Sequence, residues 1–499
     1  MIFNTPASIK NGPAYVSFKA LLLTSFLTLL ASNAVHAEDE GASTGSSGPK
    51  SAGNRPDNTF SLGDSLQEGP TGGIWQQSTL LGDIGGVRST LGTAGISLNV
   101  TETSEVLGNI TGGVKQSADY DGLTTATAQL DTQRAFGLRG GTFNVSALQV
   151  HGSNLSADNL DTLQTASGIE ADRGFRLWEL WYDQAFFYNK MDVKVGQQSI
   201  DQEFINSQGA SLFVNTMFGW PMIPSADMLS GGPAYPLSSL GARIRIQPEG
   251  PFALLVGVYD DNPAGPCDQG DPQLCDNHGT NFRVNDDPLF IAELQFSYPS
   301  MNDMEYNGKG APLPGTYKLG FWYDAGQFAD QHVDTTGVSL ATSATGNPLM
   351  HHGNYSIYTV VDQMLWRESP QSEESLGFFF RGMIAPSDRN LISMSLNAGL
   401  TYREPFEHRD DDVIGIGVGY ADVSSSASSL DNDSGLPART GETFIEATYQ
   451  YAVAPWWQLQ PDFQYVFNPG GGLLNPNDPT NTRKLGDEAV VGLRTNITF

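Results

Sequence analysis

Ile392-Ser393-Met394-Ser395-Leu396-Asn397-Ala398-Gly399-Leu400-Thr401-Tyr402 puts its apolar residues on one side of an extended chain and Ser, Asn, Gly and Thr on the other. Side chains of a strand alternate faces, so this stretch reads as a β-strand with one oily and one polar side. The pattern recurs in Trp456–Phe467, where Trp457, Leu459, Phe463 and Tyr465 oppose Gln458, Gln460, Asp462 and Gln464. It recurs again where Val491, Leu493, Thr495, Ile497 and Phe499 oppose Gly492, Arg494, Asn496 and Thr498. Period two over about ten residues is the signature of a transmembrane barrel strand.

Working outward, sixteen such segments can be placed, near 94–101, 126–133, 141–150, 175–186, 191–198, 239–246, 252–260, 288–298, 316–324, 355–364, 374–382, 391–402, 412–421, 443–453, 456–467 and 488–499. Connections after odd-numbered strands are mostly long (199–238, 261–287, 325–354, 468–487), and those after even-numbered strands are mostly short (187–190, 247–251, 454–455). A sandwich also alternates, but an even strand number with long loops on one side and tight turns on the other favours a closed barrel. Closure removes sheet edges and satisfies the backbone in lipid. Aromatic residues near strand ends (Trp178, Trp181 and Tyr182; Phe321, Trp322 and Tyr323; Phe378 to Phe380; Trp456 and Trp457) suit interfacial girdles. The fold expected is therefore all-β, an antiparallel transmembrane barrel of about sixteen strands over 94–499, with a short N-terminal helical segment at 74–93.

Residues 1–37 read as an export signal: Lys10 and Lys19, then ALLLTSFLTLL from Ala20, then Val35-His36-Ala37 before the cleavage point. Residues 38–73 are rich in Gly, Ser, Pro and Asp and read as a disordered polar leader. The chain has 26 Lys and Arg against 55 Asp and Glu, a formal charge of −29. Losing Lys10 and Lys19 with the signal takes this to −31, which excludes nucleic acid as a partner. Mean hydropathy is −0.26, no obstacle here because a barrel strand needs only alternate residues apolar. Cys267 and Cys275 are the two cysteines, and an exported pair at this spacing most simply forms one disulfide. Asp260-Asp261, Asp286-Asp287 and Asp410-Asp411-Asp412 read as solvated turns rather than cation sites. No metal and no cofactor is expected.

The resemblance to the carbohydrate-selective porin family, the OprB type, rests on particular residues. Leu81-Gly82-Asp83-Ile84-Gly85-Gly86-Val87-Arg88, with Leu91, Gly95 and Ile96, resembles the family's L-x-G-D-W-G-G-x-R segment, with Ile84 in place of Trp. Asn109 with Gly112-Gly113 follows suit. So do Gly196-Gln197-Gln198, Asp201, Phe204, Phe218-Gly219, Pro221, Tyr235-Pro236 and Leu240-Gly241. Gly279-Thr280-Asn281-Phe282, Gln460-Pro461-Asp462-Phe463-Gln464-Tyr465 and Asn468-Pro469-Gly470 complete the match. Phe499 is similar to the terminal aromatic that the outer-membrane assembly machinery reads. The resemblance implies a sixteen-stranded barrel in the outer membrane of a Gram-negative bacterium, surrounded by lipid and lipopolysaccharide, that passes neutral sugars by facilitated diffusion.

A sugar is rich in hydroxyls and apolar on its ring faces, so a selective lumen should offer polar side chains and an aromatic surface. Parity assigns Glu179, Trp181, Asp183, Asp192, Lys194, Gln198, Arg243, Arg245, Lys318, Trp322, Asp324, Arg381, Glu446, Gln460, Asp462 and Arg494 to the lumen. Arg243, Arg245 and Arg381 are expected to face Glu179, Asp183 and Glu446 across a constriction, creating a transverse field. The segment 199–237, loaded with Phe204, Phe213, Phe218, Trp220 and Tyr235, is expected to fold partly inward and narrow the passage. Asp83 and Arg88 are expected to cap and anchor the short N-terminal helix. Carboxylate pairs such as Glu446 and Asp462 arise easily among so many inward charges, and no nucleophile triad, zinc helix or phosphate loop is present. A channel is expected, not an enzyme. The alternatives are a general small-solute porin on the same barrel and a secreted carbohydrate-active β protein. Porins of this size form trimers, so a homotrimer is an expectation, although no strand declares an oligomer face.

Overall fold

The computed structural model describes residues 73–267, 270–299, 312–370 and 372–499. The export signal and nearly all of the polar leader, and the connection at 300–311, lie outside the described residues. The first strands are β1 (Ile96–Thr111), β2 (Ala118–Asp131), β3 (Gly141–Gly152), β4 (Gly174–Phe186) and β5 (Met191–Gln198). Next come β6 (Ser239–Ile246), β7 (Phe252–Asp260), β8 (Pro288–Tyr298), β9 (Gly315–Asp334), β10 (Pro348–Arg367) and β11 (Ser375–Ile384). The last are β12 (Ile392–Arg403), β13 (Val413–Val423), β14 (Glu442–Ala454), β15 (Trp457–Phe467) and β16 (Glu488–Thr498). Each pairs antiparallel with its sequence neighbours, and β1 pairs with β16 to close a sixteen-stranded barrel. Among the described residues no helix is long and apolar enough to cross a membrane.

Alternation sets the two faces of the wall. Val256, Leu294, Leu319, Phe321, Ile357, Leu400, Ile416 and Leu493 are exposed on the outside, the apolar face of a barrel wall. Their neighbours in sequence point inward. A bulge in the β12–β13 pairing between Ile392 and Met394 breaks the period at the start of β12. Ile392 therefore lies inside, fully buried, rather than sharing the outer face of Leu396 and Leu400 as simple alternation predicts.

The barrel seam carries the N-terminal segment. Gly85 and Gly86 adopt φ of 67° and 95°, a backbone open to glycine, and lead into the helix Val87–Thr93. The Asp83 carboxylate accepts from Ser89 N and Ser89 Oγ, both at 2.8 Å, which closes the first turn and lowers its pKa. Arg88 donates to Leu98 O at 3.2 Å and to the Phe499 main-chain oxygen. Leu80 N donates to Thr498 O at 2.8 Å, and Trp75 stacks on Trp456 at 5.8 Å. Cys267 and Cys275 are joined in a disulfide within the connection after β7.

Candidate functional site: a lumen narrowed by two inserted segments

The segment 199–238, between β5 and β6, touches side chains of β5, β6, β8, β9, β10, β11, β14, β15 and β16. Only a path across the inside of the barrel reaches all of these. Locally the chain folds for this purpose: Asn215 caps the turn Thr216–Gly219 by accepting from Met217 N, and Pro221 opens the short helix Met222–Asp227. Phe204, Phe213, Phe218, Trp220, Met222 and Ile223 are buried in one apolar cluster with Tyr259, Ile291, Trp322, Tyr358, Phe379 and Phe444 of the wall. The Phe218 ring lies 4.4 Å from Phe213, 5.3 Å from Phe444 and 5.6 Å from Phe379.

Glycines make room for these rings. Gly399 of β12 and Gly415, Gly417 and Gly419 of β13 face inward. A Cβ at Gly417 would lie 2.6 Å from the Phe218 ring, and one at Gly415 2.6 Å from Leu212. The inner wall is thus a groove cut to receive the segment.

Polar clamps fix its course. Arg381 of β11, with no exposure, donates to Ile205 O at 3.0 Å, Phe218 O at 3.0 Å, Gly219 O at 3.1 Å and Met217 O. Glu446 of β14 accepts from Val214 N at 2.6 Å and Asn215 N at 3.0 Å. Glu293 of β8 accepts from Ile205 N at 2.9 Å and Tyr358 Oη at 3.0 Å. Asp362 of β10 accepts from Ser207 Oγ at 2.6 Å and Gly209 N at 2.9 Å. Lys318 of β9 donates to Asn206 O, and Gln460 of β15 to Leu212 O. Glu203 of the segment pairs with Lys194 of β5 and with Arg243 of β6. Buried charges are tolerable in such a place because each is met by hydrogen bonds.

A second segment, 153–173 between β3 and β4, also turns inward. Leu155, Leu160 and Ala166 form an apolar cluster with Leu107, Val214 and Val490. Glu442 of β14 accepts from Leu163 N at 2.9 Å and Gln164 N at 2.8 Å. Gln464 of β15 donates to Ala166 O at 2.8 Å. The two segments join through Gly168 N to Val214 O at 2.9 Å and Thr216 N to Thr165 O at 3.2 Å.

The residues picked out by parity are drawn together here, but in different roles. Arg243 pairs with Asp192 beside it and with Glu203, and Arg245 with Asp192 at 2.7 Å. Arg381 and Glu446 hold main-chain atoms of the inserted segment. The expected opposition of these cations to Glu179, Asp183 and Glu446 across open water is therefore replaced by fastening. Glu179 accepts from Ser199 N at 3.2 Å, at the root of the segment, and Asp183 is half-buried. Arg494 pairs with Glu105 and reaches Val214 O. Asp462 accepts from Gln464 at 3.0 Å, and Asp324 from Gly326 N at 2.8 Å. Trp322 has no exposure and lies under the apolar cluster, and the buried Trp181 is covered by Lys194 at 4.3 Å. Neither offers the open stacking face expected of it: the inserted chain packs on Trp322, and Lys194 of β5 lies over Trp181. Two acidic runs also depart from the expected solvated turns: Asp261 and Asp412 are buried, and Asp412 accepts from Arg409 and from Ala452 N at 2.9 Å.

Sequence reasoning missed Glu203, Glu293, Asp362, Glu442 and the whole segment 153–173. Parity would have found Glu293, two residues from the inward Ile291. The spaced Leu155, Leu160, Leu163 and Ala166 were a signal that 153–173 is no solvated loop.

The sequence model of the carbohydrate-selective porin, OprB family, matches residues 115–499. The chain belongs to this family. Among its porin relatives is Porin B of Pseudomonas aeruginosa, 24% identical over 416 residues that cover 79% of this chain and 87% of that protein. Putative porin QuiX of Acinetobacter baylyi is 23% identical over 457 residues, covering 85% and 94%. The high-pH structure of Pseudomonas putida OprB superimposes with a TM-score of 0.72 at 22% identity, covering 86% of this porin and all of that chain. That likeness fixes the barrel fold.

Proposed function

We propose that this porin carries neutral mono- and oligosaccharides across the outer membrane of a Gram-negative bacterium, down their gradient, by facilitated diffusion. The observation that carries the reading is the inward face of β1, β2 and β16 beside the inserted segments. Asn99, Thr101, Thr103, Thr125, Thr127, Asn496 and Thr498 line it, half-exposed and uncharged. Thr103 Oγ1 bonds Asn496 Oδ1 at 2.8 Å, and the rest of this lining is a continuous supply of hydroxyl and amide groups. Such a strip can exchange hydrogen bonds with sugar hydroxyls one after another, and the charges next along the same faces, Glu105 and Arg494, are paired with each other. Passage between this strip and the 199–238 segment is the route we assign. Lipid and lipopolysaccharide surround the barrel, and the outer-membrane assembly machinery inserts it. The protein works as a channel and not as an enzyme. Glu446, the carboxylate best placed to imitate a hydrolase acid, has both oxygens occupied by main-chain amides.

Solute flux into liposomes containing the refolded protein tests this. Glucose and maltose should enter faster than amino acids and small anions of matched size. Flux ordered by size alone would reduce the function to general diffusion. No flux through a folded barrel would overturn the reading.

A further inference from the structure

Two carboxylates from distant parts of the chain close on one point at the mouth that carries the long connections. Asp261 stands just past β7, where the chain leaves the wall on its way to β8, and Asp324 lies on β9 opposite Leu289 and Asn354. Sequence alone reads Asp260-Asp261 as a solvated turn, yet Asp261 is 2% exposed and Asp324 has no exposure. A Cβ at Gly326 would lie 2.9 Å from Asp261 Oδ2, 3.0 Å from Asp324 Oδ1 and 3.7 Å from Leu229 Cδ1. The Gly326 backbone is not in the left-handed region that favours glycine. What glycine supplies here is room beside the two acids.

Their surroundings are acidic. Asp324 Oδ1 accepts from Gly326 N at 2.8 Å, but Asp324 Oδ2 and Asp261 Oδ1 are buried with no hydrogen-bond partner. The charged groups that weigh most on Asp261 are Asp324, Asp260 and Asp287. Arg283, the arginine of the same connection, is spent on Asp286 at 2.8 Å and 2.9 Å. Two carboxylates sharing a buried place do not both stay ionised unless a positive charge sits between them.

We infer that Asp261 and Asp324 hold a calcium ion in the space over Gly326. The donors are carboxylate oxygens, which select a hard cation rather than a thiophilic one. Among the described residues no three His, Cys, Asp or Glu side chains form a metal-holding group. Main-chain oxygens and water therefore complete the shell, in the irregular geometry that calcium accepts and magnesium does not. With two carboxylates the affinity belongs with extracellular calcium modules, at a dissociation constant on the order of 10⁻⁴ M. Ser230 Oγ bonds Asn262 Oδ1 at 2.7 Å, and Leu229 touches the same space. An ion here fastens the connection 261–287 and the end of the 199–238 segment to the wall at once.

The test uses the full mature chain, refolded into detergent free of lipopolysaccharide and stripped with chelator. Calorimetric titration with calcium chloride in about 0.1 M KCl, which screens the diffuse acidity of the surface, should show one saturable site per chain. Asp261→Asn and Gly326→Ala should each abolish it. The first removes a ligand charge, and the second fills the space the ion needs. Asp410→Asn, in an exposed acidic run, should leave it unchanged. Calcium should also slow hydrogen exchange over 261–287 in the unsubstituted chain and not in Gly326→Ala. Absence of saturable binding overturns the inference, since the pair then shares a proton instead. Unchanged affinity in either variant overturns it too, by placing the ion on the general acidic surface. Asp261 lies outside the strands, so Asp261→Asn decides the matter even if Gly326→Ala does not fold. None of these readouts depends on sugar flux, so this inference and the transport reading stand or fall separately.

Discussion

Replacing Arg381 with Met should detach part of the 199–238 segment while leaving the barrel intact. The side chain contributes no ladder hydrogen bond, and Met keeps the apolar volume of the stem. What is lost is the guanidinium that gathers the carbonyls of Ile205, Met217, Phe218 and Gly219. A hydrogen bond to a charged group contributes ~1.5–3 kcal/mol, and lumen water can replace some of the four, so the docked state should weaken by about 3 kcal/mol. That corresponds to a rise on the order of a hundredfold in the detached population. The clamps at Glu446, Asp362 and Glu293 remain, so the opening is local, around 205 and 217–219. In planar bilayers the variant should show larger, noisier single-channel conductance and weaker preference for sugars over anions. Its heat-modifiable mobility on gels, which reports the closed barrel, should not change. Arg381→Lys should fall between, because an ammonium reaches fewer carbonyls than the guanidinium fork. Unchanged conductance and preference in a folded Arg381→Met barrel would refute the claim that this residue positions the constriction.

Two further perturbations follow from the same geometry. Gly417→Leu places side-chain atoms where the Phe218 ring lies (even a Cβ would be 2.6 Å away), so the 199–238 segment should become open to limited proteolysis in a barrel that still forms. Burial pushes the Glu170 carboxyl up to about 7, against a bond from Ser156 N that pulls it down. A raised carboxyl pKa means the docked state holds its proton longer than the undocked one, so docking of 153–173 is firmest below about pH 4.5 and weakens as pH rises towards 7. Hydrogen exchange over 153–173 should speed up across that window, and Glu170→Gln should flatten the dependence.

The strands were legible because alternation is local: every one of the sixteen segments became a strand, and β5 to β8 keep the expected bounds. The first two strands were least legible, for a reason now visible. Outward positions Glu102, Ser104 and Thr124 are polar, so the oily face that marks a barrel strand is missing where β1 runs on to Thr111 and β2 starts at Ala118. Which residues point inward was also legible. What they meet there was not, since periodicity is the same whether an inward arginine faces water or a carbonyl. Arg381 and Trp322 could be given a direction, but their partners lie some 150 or more residues away in sequence for Arg381, and for Trp322 in a segment whose path depends on the whole barrel. The bulge at Ile392 was hidden for a similar reason, since nothing in Ile392-Ser393-Met394 distinguishes an extra residue from one more step of the alternation.

Arg381, Glu446 and Glu293 grip backbone atoms, not side chains, of the 199–238 segment, and Gln464 holds the Ala166 carbonyl of 153–173. A fastening of that kind does not depend on which amino acid it holds. The side chains of 153–173 and 199–238 that look into the passage are free to drift while their scaffold stays anchored, so one barrel can be refitted to a different solute without being rebuilt. Designers who want to alter what this channel admits have a frame already prepared: change the half-exposed residues between the clamps, and leave the clamps alone.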